Sequence, residues 1–318
     1  MCFISEAYKN MKKALFVFNP HSGKGQIKFN LLNIIDILTK GGYDVTVHPT
    51  QSKYDALDTV TQIGNDFDAI ICSGGDGTLN ETIEGIMSLE QRKPLGYIPA
   101  GTMNDFATSL NISKNMKQAA LNIVRNEKIN VDVGSFNKVF FTYVAAFGAF
   151  TDVSYETPQQ KKNVFGTLAY IMEGMKKLNK LKSYSVKLKY NDTETEGDFL
   201  FGMVSNSTSV AGFKGLSGND VMLDDGVFEC FLVKNPTNLM DFQMMINDLL
   251  QRKLDSPYFC FFKTNYVEFE SSSELPWTLD GEFGGIETKV VIKNNHKAIE
   301  IFAAPNDNIS EHTEVTQN

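Results

Sequence analysis

Between residue 13 and about residue 125, short runs of β-branched and aromatic residues alternate with longer segments of helical periodicity, and this alternation limits the fold more than any other feature. Residues 14–19, 43–50, 69–73 and 95–99 read as strands; residues 27–39, 54–63, 79–89, 103–110 and 116–124 read as helices. In the first helix Ile27, Leu31, Ile34, Ile35 and Leu38 share one face. Strands joined through helices pair in parallel, so the pattern predicts an open parallel α/β sheet that binds ligands beyond the C-terminal ends of its strands.

Beyond residue 128 the texture changes. Strand-like runs occupy residues 130–136, 139–147, 184–190, 199–205, 226–233, 258–270 and 289–293, with turn signals such as Asn191-Asp192 and Asp225-Gly226 between them. Two helices are expected among them, at residues 165–181 and 239–251. The prediction is a β-sandwich or barrel-like second domain. The boundaries expected are a loose extension over residues 1–11, an α/β domain over 12–130, a β-sandwich domain over 131–296 and a disordered tail over 306–318.

Charge and cysteine usage narrow the function classes. Lys and Arg total 30 against 38 Asp and Glu, a net charge of −8, so a nucleic-acid partner loses its simplest support. Residues 1–131 are balanced, and the whole deficit falls in residues 132–318. Cys2, Cys72, Cys230 and Cys260 form no CxxC pair, which points away from zinc or a disulfide framework and toward a reducing, cytoplasmic setting. The longest apolar run, residues 139–150, is well short of the roughly 20 residues needed to span a bilayer. Neither a membrane-spanning helix nor a signal peptide is expected.

The sharpest local signal is Gly74-Gly75-Asp76-Gly77-Thr78-Leu79-Asn80-Glu81, at the end of one strand and the start of a helix. Glycines there let backbone N–H groups approach phosphate oxygens. Asp76 would repel phosphate unless a magnesium ion or its water lies between them, so the loop reads as a nucleotide–magnesium site; a tight turn with Asp76 as helix cap is the plainer alternative. Two further loops emerge on the same sheet edge: Asn19-Pro20-His21-Ser22-Gly23-Lys24-Gly25 after the first strand, and residues 99–107, including Gly101, Thr102, Asn104 and Asp105, after the fourth. Later in the chain stands Leu279-Asp280-Gly281-Glu282, which on residue types alone is an ordinary β-turn.

In order, these motifs, N-P-x-S-G, G-G-D-G-T-x-N-E, P-x-G-T-x-N-D-F-A and L-D-G-E, resemble the diacylglycerol kinase catalytic-domain family, in particular the bacterial YegS-like lipid kinases. The likeness runs over about residues 12–305. It implies a nucleotide-binding α/β domain and a β-sandwich domain, with residues 297–305 returning to the first. It further implies ATP contacts from Asn19, Pro20, Ser22, Gly23, Thr50, Gly74, Gly75, Asp76, Gly77, Thr78, Asn80, Glu81, Thr102, Asn104 and Asp105, with Asp76 and Asp105 in the magnesium network. Glu282 becomes the general base for an acceptor hydroxyl, with Asp280 supporting it or binding metal. Residues 222–227 resemble the loop that holds a second, structural Mg²⁺ in these kinases, through Asp225 and the carbonyls of Met222 and Val227; a hairpin turn at Asp225-Gly226 stays open.

Residues 161–190 carry eight lysines against one acid, Glu173. Lys161, Lys162, Lys176, Lys177, Lys180 and Lys182 suit peripheral contact with an anionic membrane at its inner face, or a solvated helix face packed on the β-domain. The expectation is an ATP- and magnesium-dependent kinase acting on diacylglycerol or a related lipid, with room for a homodimer. Alternatives are an NAD kinase, disfavoured because Asn80-Glu81 directly follows the glycine loop, and a non-catalytic nucleotide- or lipid-binding regulator.

Overall fold

The computed structural model describes residues 11–102, 104–148, 182–206, 209–210, 213–214, 223–251 and 253–303. The chain divides into two compact units, Met1–Val131 with Ala298–Asn318, and Asp132–Lys297.

The first unit runs β1 (Lys12–Phe18), α1 (Ile27–Lys40), β2 (Tyr43–Pro49), α2 (Asp55–Ile63), β3 (Ala69–Gly74), α3 (Asp76–Ser88), β4 (Leu95–Pro99), α4 (Asp105–Ser109) and α5 (Met116–Arg125). β1 pairs in parallel with β2 and β3, β3 with β4, and β4 with Ile301 of the last strand. Every residue of β3 and β4 is buried, so these strands read as continuous apolar runs rather than alternating ones. Helix α3 begins three residues earlier than its periodicity suggests. Gly75 takes the extended N-cap position, which makes Asp76, Gly77 and Thr78 the first turn of the helix and not a loop. Helix α4 is shorter than expected because Asn104, at φ 52°, is left-handed and cannot belong to it.

In the second unit the strands are β5 (Lys128–Phe136), β6 (Val139–Phe141), β7 (Val144–Gly148), β8 (Tyr184–Tyr190), β9 (Thr193–Ser205), the short β10 (Ser209–Val210) and β11 (Phe213–Lys214), then β12 (Phe228–Lys234), β13 (Phe259–Thr264), β14 (Tyr266–Leu279) and β15 (Glu282–Phe302), with α6 (Leu239–Leu250) after β12. Apart from β10 and β11, which pair with each other, their pairing is one path, β13-β12-β9, then β7 and β8, then β14-β15, with β5 joined to β15 and β6 to β5. β7 and β8 share a single lane. Along β9, Gly148 lies opposite Phe201 and Tyr184 opposite Phe199, and along β14 the two strands again follow one another.

The inward face of this path closes a core of Phe136, Phe141, Phe147, Phe269 and Trp277 with their neighbours. The outward face is covered by Phe242, Met245, Ile246 and Leu249 of α6. Of the sandwich and barrel-like alternatives the second describes the pairing better, because among the described residues a single hydrogen-bonded path supplies the core. Three strand expectations change as well. The run over 139–147 breaks at Thr142-Tyr143, whose N–H groups turn to a carboxylate. The run over 258–270 splits at Asn265, because β13 pairs with β12 while β14 pairs with β15 and β8. Finally, residues 289–293 and the return segment belong to one 21-residue strand, kinked at Lys297 (φ 48°) where the chain passes from one unit to the other.

Candidate functional site

At the C-terminal edge of the first unit's sheet, three loops are brought together by the absence of side chains. A Cβ on Gly23 would stand 1.8 Å from the Ala100 carbonyl oxygen, and one on Gly101 would stand 2.6 Å from the Gly75 Cα. Gly74 is equally constrained, since a Cβ there would meet the Thr78 side chain at 2.5 Å. Only glycine admits these approaches, and at Gly23 the backbone (φ 55°) also demands it.

Hydrogen bonds then lock the loops. Asn19 donates from its side chain to Thr78 Oγ1 at 3.5 Å, and its N–H reaches the Ser73 carbonyl at 2.9 Å. The Ala100 N–H donates to the Gly74 carbonyl at 2.8 Å. Buried Asn104 accepts the Gly101 N–H at 2.9 Å, donates to the Gly101 carbonyl at 2.7 Å and gives its own N–H to Asp76 Oδ2 at 3.2 Å. Tyr97, which residue patterns did not single out, donates within reach of both the Gly74 carbonyl and Asn104 Oδ1. Its place in an all-buried strand hid the polar tip.

Thr50 is buried beside the end of β1, donating its N–H to the Phe18 carbonyl at 2.9 Å. The loop beyond it is pinned by Asp55, which accepts the Gln51 N–H at 2.6 Å and lies 3.2 Å from His48 Nε2. Burial alone would raise the Asp55 carboxyl; these hydrogen bonds outweigh it and hold the group below its ordinary value. Glu81 accepts the Tyr54 N–H at 2.9 Å and so ties α3 to the same loop. Pro20 and Ser22 are half-buried and Thr102 is exposed on this edge; Asn80 sits on α3, and Asp105 begins α4. The first-turn N–H groups of α3, next to a glycine cradle that any Cβ would fill, suit a chain of phosphates, and the Asp76 carboxylate beside them suits a magnesium ion bound to those phosphates.

The second unit places Asp280 and Gly281 (φ 50° and 82°) in the two-residue turn between Leu279 of β14 and Glu282 of β15. It is the β-turn that its residue types suggest, with an unusual anchor. Buried Asp280 accepts the Thr142 N–H (2.7 Å) and hydroxyl (2.9 Å) on Oδ2, and the N–H groups of Tyr143 and Val144 (both 2.9 Å) on Oδ1. Tyr143 donates its hydroxyl to the Asp280 carbonyl at 2.8 Å. Burial pushes the Asp280 carboxyl up and the four donors pull it back. Both Asp280 oxygens are committed in this way and fix the turn, and Glu282 next to it is exposed.

The segment after Leu223 is held by Asp132, another residue the motifs missed. Fully buried Asp132 accepts the N–H groups of Gly226 and Lys297 at 2.7 Å, and its own N–H reaches the Leu223 carbonyl at 2.8 Å. An acid between Val131 and Val133 in a strand was the available signal. Asp225 Oδ1 accepts the Val227 N–H at 3.1 Å, so this pair shares a tight turn, and a carboxylate with backbone carbonyls is a hard-oxygen set that suits magnesium. Met222 lies outside the described residues, as do Lys161, Lys162, Lys176, Lys177, Lys180 and the helix expected over 165–181. Lys182 is described, with its Nζ 4.8 Å from the centre of the Tyr184 ring. Among the described residues no helix is long and apolar enough to cross a membrane, and no group of three or more His, Cys, Asp or Glu side chains is arranged to hold a metal.

Residues 13–136 match the family model of the diacylglycerol kinase catalytic domain. The chain is 33% identical over 302 residues to a diacylglycerol kinase of Staphylococcus aureus, covering 94% of this chain and 95% of that protein. It is 32% identical over 279 residues to a diacylglycerol kinase of Bacillus subtilis, covering 87% and 91%. A crystal structure of a candidate diacylglycerol kinase from Bacillus anthracis superposes with a TM-score of 0.77 at 26% identity, over 93% of this chain and 96% of that one.

Proposed function

The chain belongs to the diacylglycerol kinase catalytic-domain family, and from that premise we propose that it transfers the terminal phosphoryl group of ATP, with magnesium, to a hydroxyl of diacylglycerol or a closely related lipid. Membership makes it a lipid kinase; the donor, the metal and the acceptor are the finer reading. The observation that carries that reading is the packing of Gly23 on Ala100 and of Gly75 on Gly101, which gathers three loop backbones around the first turn of α3. Magnesium-bound ATP supplies an activated phosphoryl group whose charge is partly neutralised.

The chain's own residues divide the work. Asn19, Pro20, Ser22, Gly23, Gly74, Gly75, Gly77, Thr78, Asn80 and Thr102 hold the phosphates with backbone and polar side-chain groups, while Thr50 and Glu81 fix the neighbouring loop. Asp76 and Asp105 hold the metal's side of that network, and Asn104 sets the angle of Asp76 through its N–H. In the second unit Glu282 takes the proton of the acceptor hydroxyl, and Asp280 holds the turn that presents it. Asp225, with the carbonyls of Met222 and Val227, holds a structural magnesium ion. The lysines of residues 161–182 favour contact with anionic lipid at the inner face of the membrane.

Incubation with labelled ATP and a lipid extract tests the reading. Label is expected in a phosphatidate-like product. ATP binding without labelled lipid would instead mark a regulator, and label in NAD would mark an NAD kinase.

A further inference from the structure

Helix α1 presents two unlike outward faces along its length. In its first two turns Phe29 and Leu32 are 83% and 82% exposed, more than any other large apolar side chains among the described residues. They stand three positions apart, hence side by side on one face about 4.5 Å apart along the axis. In its last turns the outward groups are polar, with Lys40 and Asp36 paired at 2.7 Å. The packing of the helix does not use the apolar pair, because Ile27, Ile34 and Leu38 face the core. Exposed Lys28 adjoins Phe29, and no acidic residue occurs between Asn19 and Ile35.

This end of the helix is also the end that grows out of the Ser22–Gly25 turn, where Gly23 packs against Ala100. The apolar and basic patch is therefore within a few residues of the edge proposed to hold phosphate, and the polar half of the helix points away from that edge.

We infer that the first two turns of α1 dock on an anionic bilayer, with Phe29 and Leu32 buried among the lipid headgroups and acyl chains and Lys28 beside them on headgroup phosphates. The choice of a lipid surface rests on the lipid-kinase reading, because such an enzyme meets its acceptor in a bilayer. An aromatic and a leucine beside a lysine, in two turns without acids and with the next acid on that face, Asp36, paired to Lys40, match that surface in both polarity and charge. The patch is distinct from the lysines of residues 161–182 and lies in the other unit.

The test uses the full chain and vesicles of phosphatidylcholine mixed with phosphatidylglycerol. Phe29→Ser with Leu32→Ser is expected to weaken vesicle binding about tenfold or more and to raise the KM for vesicle-borne lipid, leaving ATP affinity and the melting temperature near those of the parent. The single native tryptophan, Trp277, is fully buried, so a Leu32→Trp reporter adds a separable emission that should shift to the blue when vesicles are added. Vesicle binding equal to that of the parent, together with an unshifted reporter, overturns the inference. So does a double variant that turns a dimer into a monomer with vesicle binding intact, because a second copy then covers the patch. A parent chain that binds vesicles through Phe29 and Leu32 but phosphorylates no lipid overturns the proposed function and leaves the docking surface standing.

Discussion

In the first unit three loops meet because Gly23 and Gly101 carry no side chains, whereas in the second one carboxylate, that of Asp280, gathers four donors from Thr142, Tyr143 and Val144. In the glycine edge the N–H groups of Asn19, Ala100, Gly101 and Asn104 already donate within the protein, and the part proposed to meet an anion is the first turn of α3. The Asp280 anchor is already complete. Its donors are consumed inside the protein, and what it offers outward is the position of Glu282. Under the proposed function this implies a division of labour, with binding expected in the glycine edge and proton transfer in the residue that the anchor presents.

The sharpest attempt to break that division is Glu282→Gln. Phosphoryl transfer is expected to fall about 10²- to 10⁴-fold, the range for loss of a general base, with ATP affinity unchanged in a direct binding measurement. Weakened ATP binding would show that the two regions do not divide as described. Next in size is Asp280→Ala, which removes the acceptor of the buried Thr142 N–H and hydroxyl and of the half-buried Tyr143 and Val144 N–H groups. About 3 kcal/mol of stability should be lost in denaturant unfolding, and activity should drop because the turn no longer holds Glu282.

Gly23→Ala probes the other region. Its methyl cannot share space with the Ala100 carbonyl and its φ resists a side chain, so ATP affinity should fall about tenfold while kcat at saturation changes less. The smallest effect concerns Glu229, a buried carboxyl of β12 raised above 4.5 by burial, against which Lys263 at 3.0 Å pulls down. A carboxyl raised in the folded state stabilises fully below its unfolded value and loses that contribution as pH rises from 4.5 through the raised value. Glu229→Gln should remove this slope. Lys263 is 40% exposed and stays solvated, so the variant should gain about 1 kcal/mol at neutral pH, read as a flatter profile of melting temperature against pH.

The two regions also differ in how far the sequence discloses them. A glycine edge is written locally: Gly74-Gly75-Asp76-Gly77-Thr78 is contiguous, and the demand for close backbone approach falls on the residues that show it. Even so, residue patterns did not reveal that Asp76 opens the helix, because an N-cap at Gly75 has no side-chain signature. The anchors are written across distance. Asp280 and Asp132 take donors up to 138 and 165 positions away, and no local pattern announces such partners. The same distance effect broke the strand read over 139–147, whose backbone is diverted to Asp280. Strand β15 was under-read for another reason: its Asn294, Asn295 and His296 look like loop residues, yet their side chains reach Asp132 and Val133 from within the strand. By contrast, Tyr184–Tyr190 alternates buried with less buried positions on one solvated face, and its limits were readable to the residue.

The shared lane of β7 and β8 has an architectural consequence. Gly148 and Tyr184 face positions two apart on β9, a step of roughly 7 Å that one interposed residue spans. Gly148 leaves the lane at φ 92°, with its Cα pressed toward the Leu200 carbonyl, so the exit point is fixed by a glycine. The two ends that flank the 35 intervening residues thus meet the ladder at adjacent places in one lane. Sequence there can lengthen, shorten or be exchanged without shifting the register of β9 or β14. The strand that leads to Glu282 is thereby insulated from changes of length between Gly148 and Tyr184.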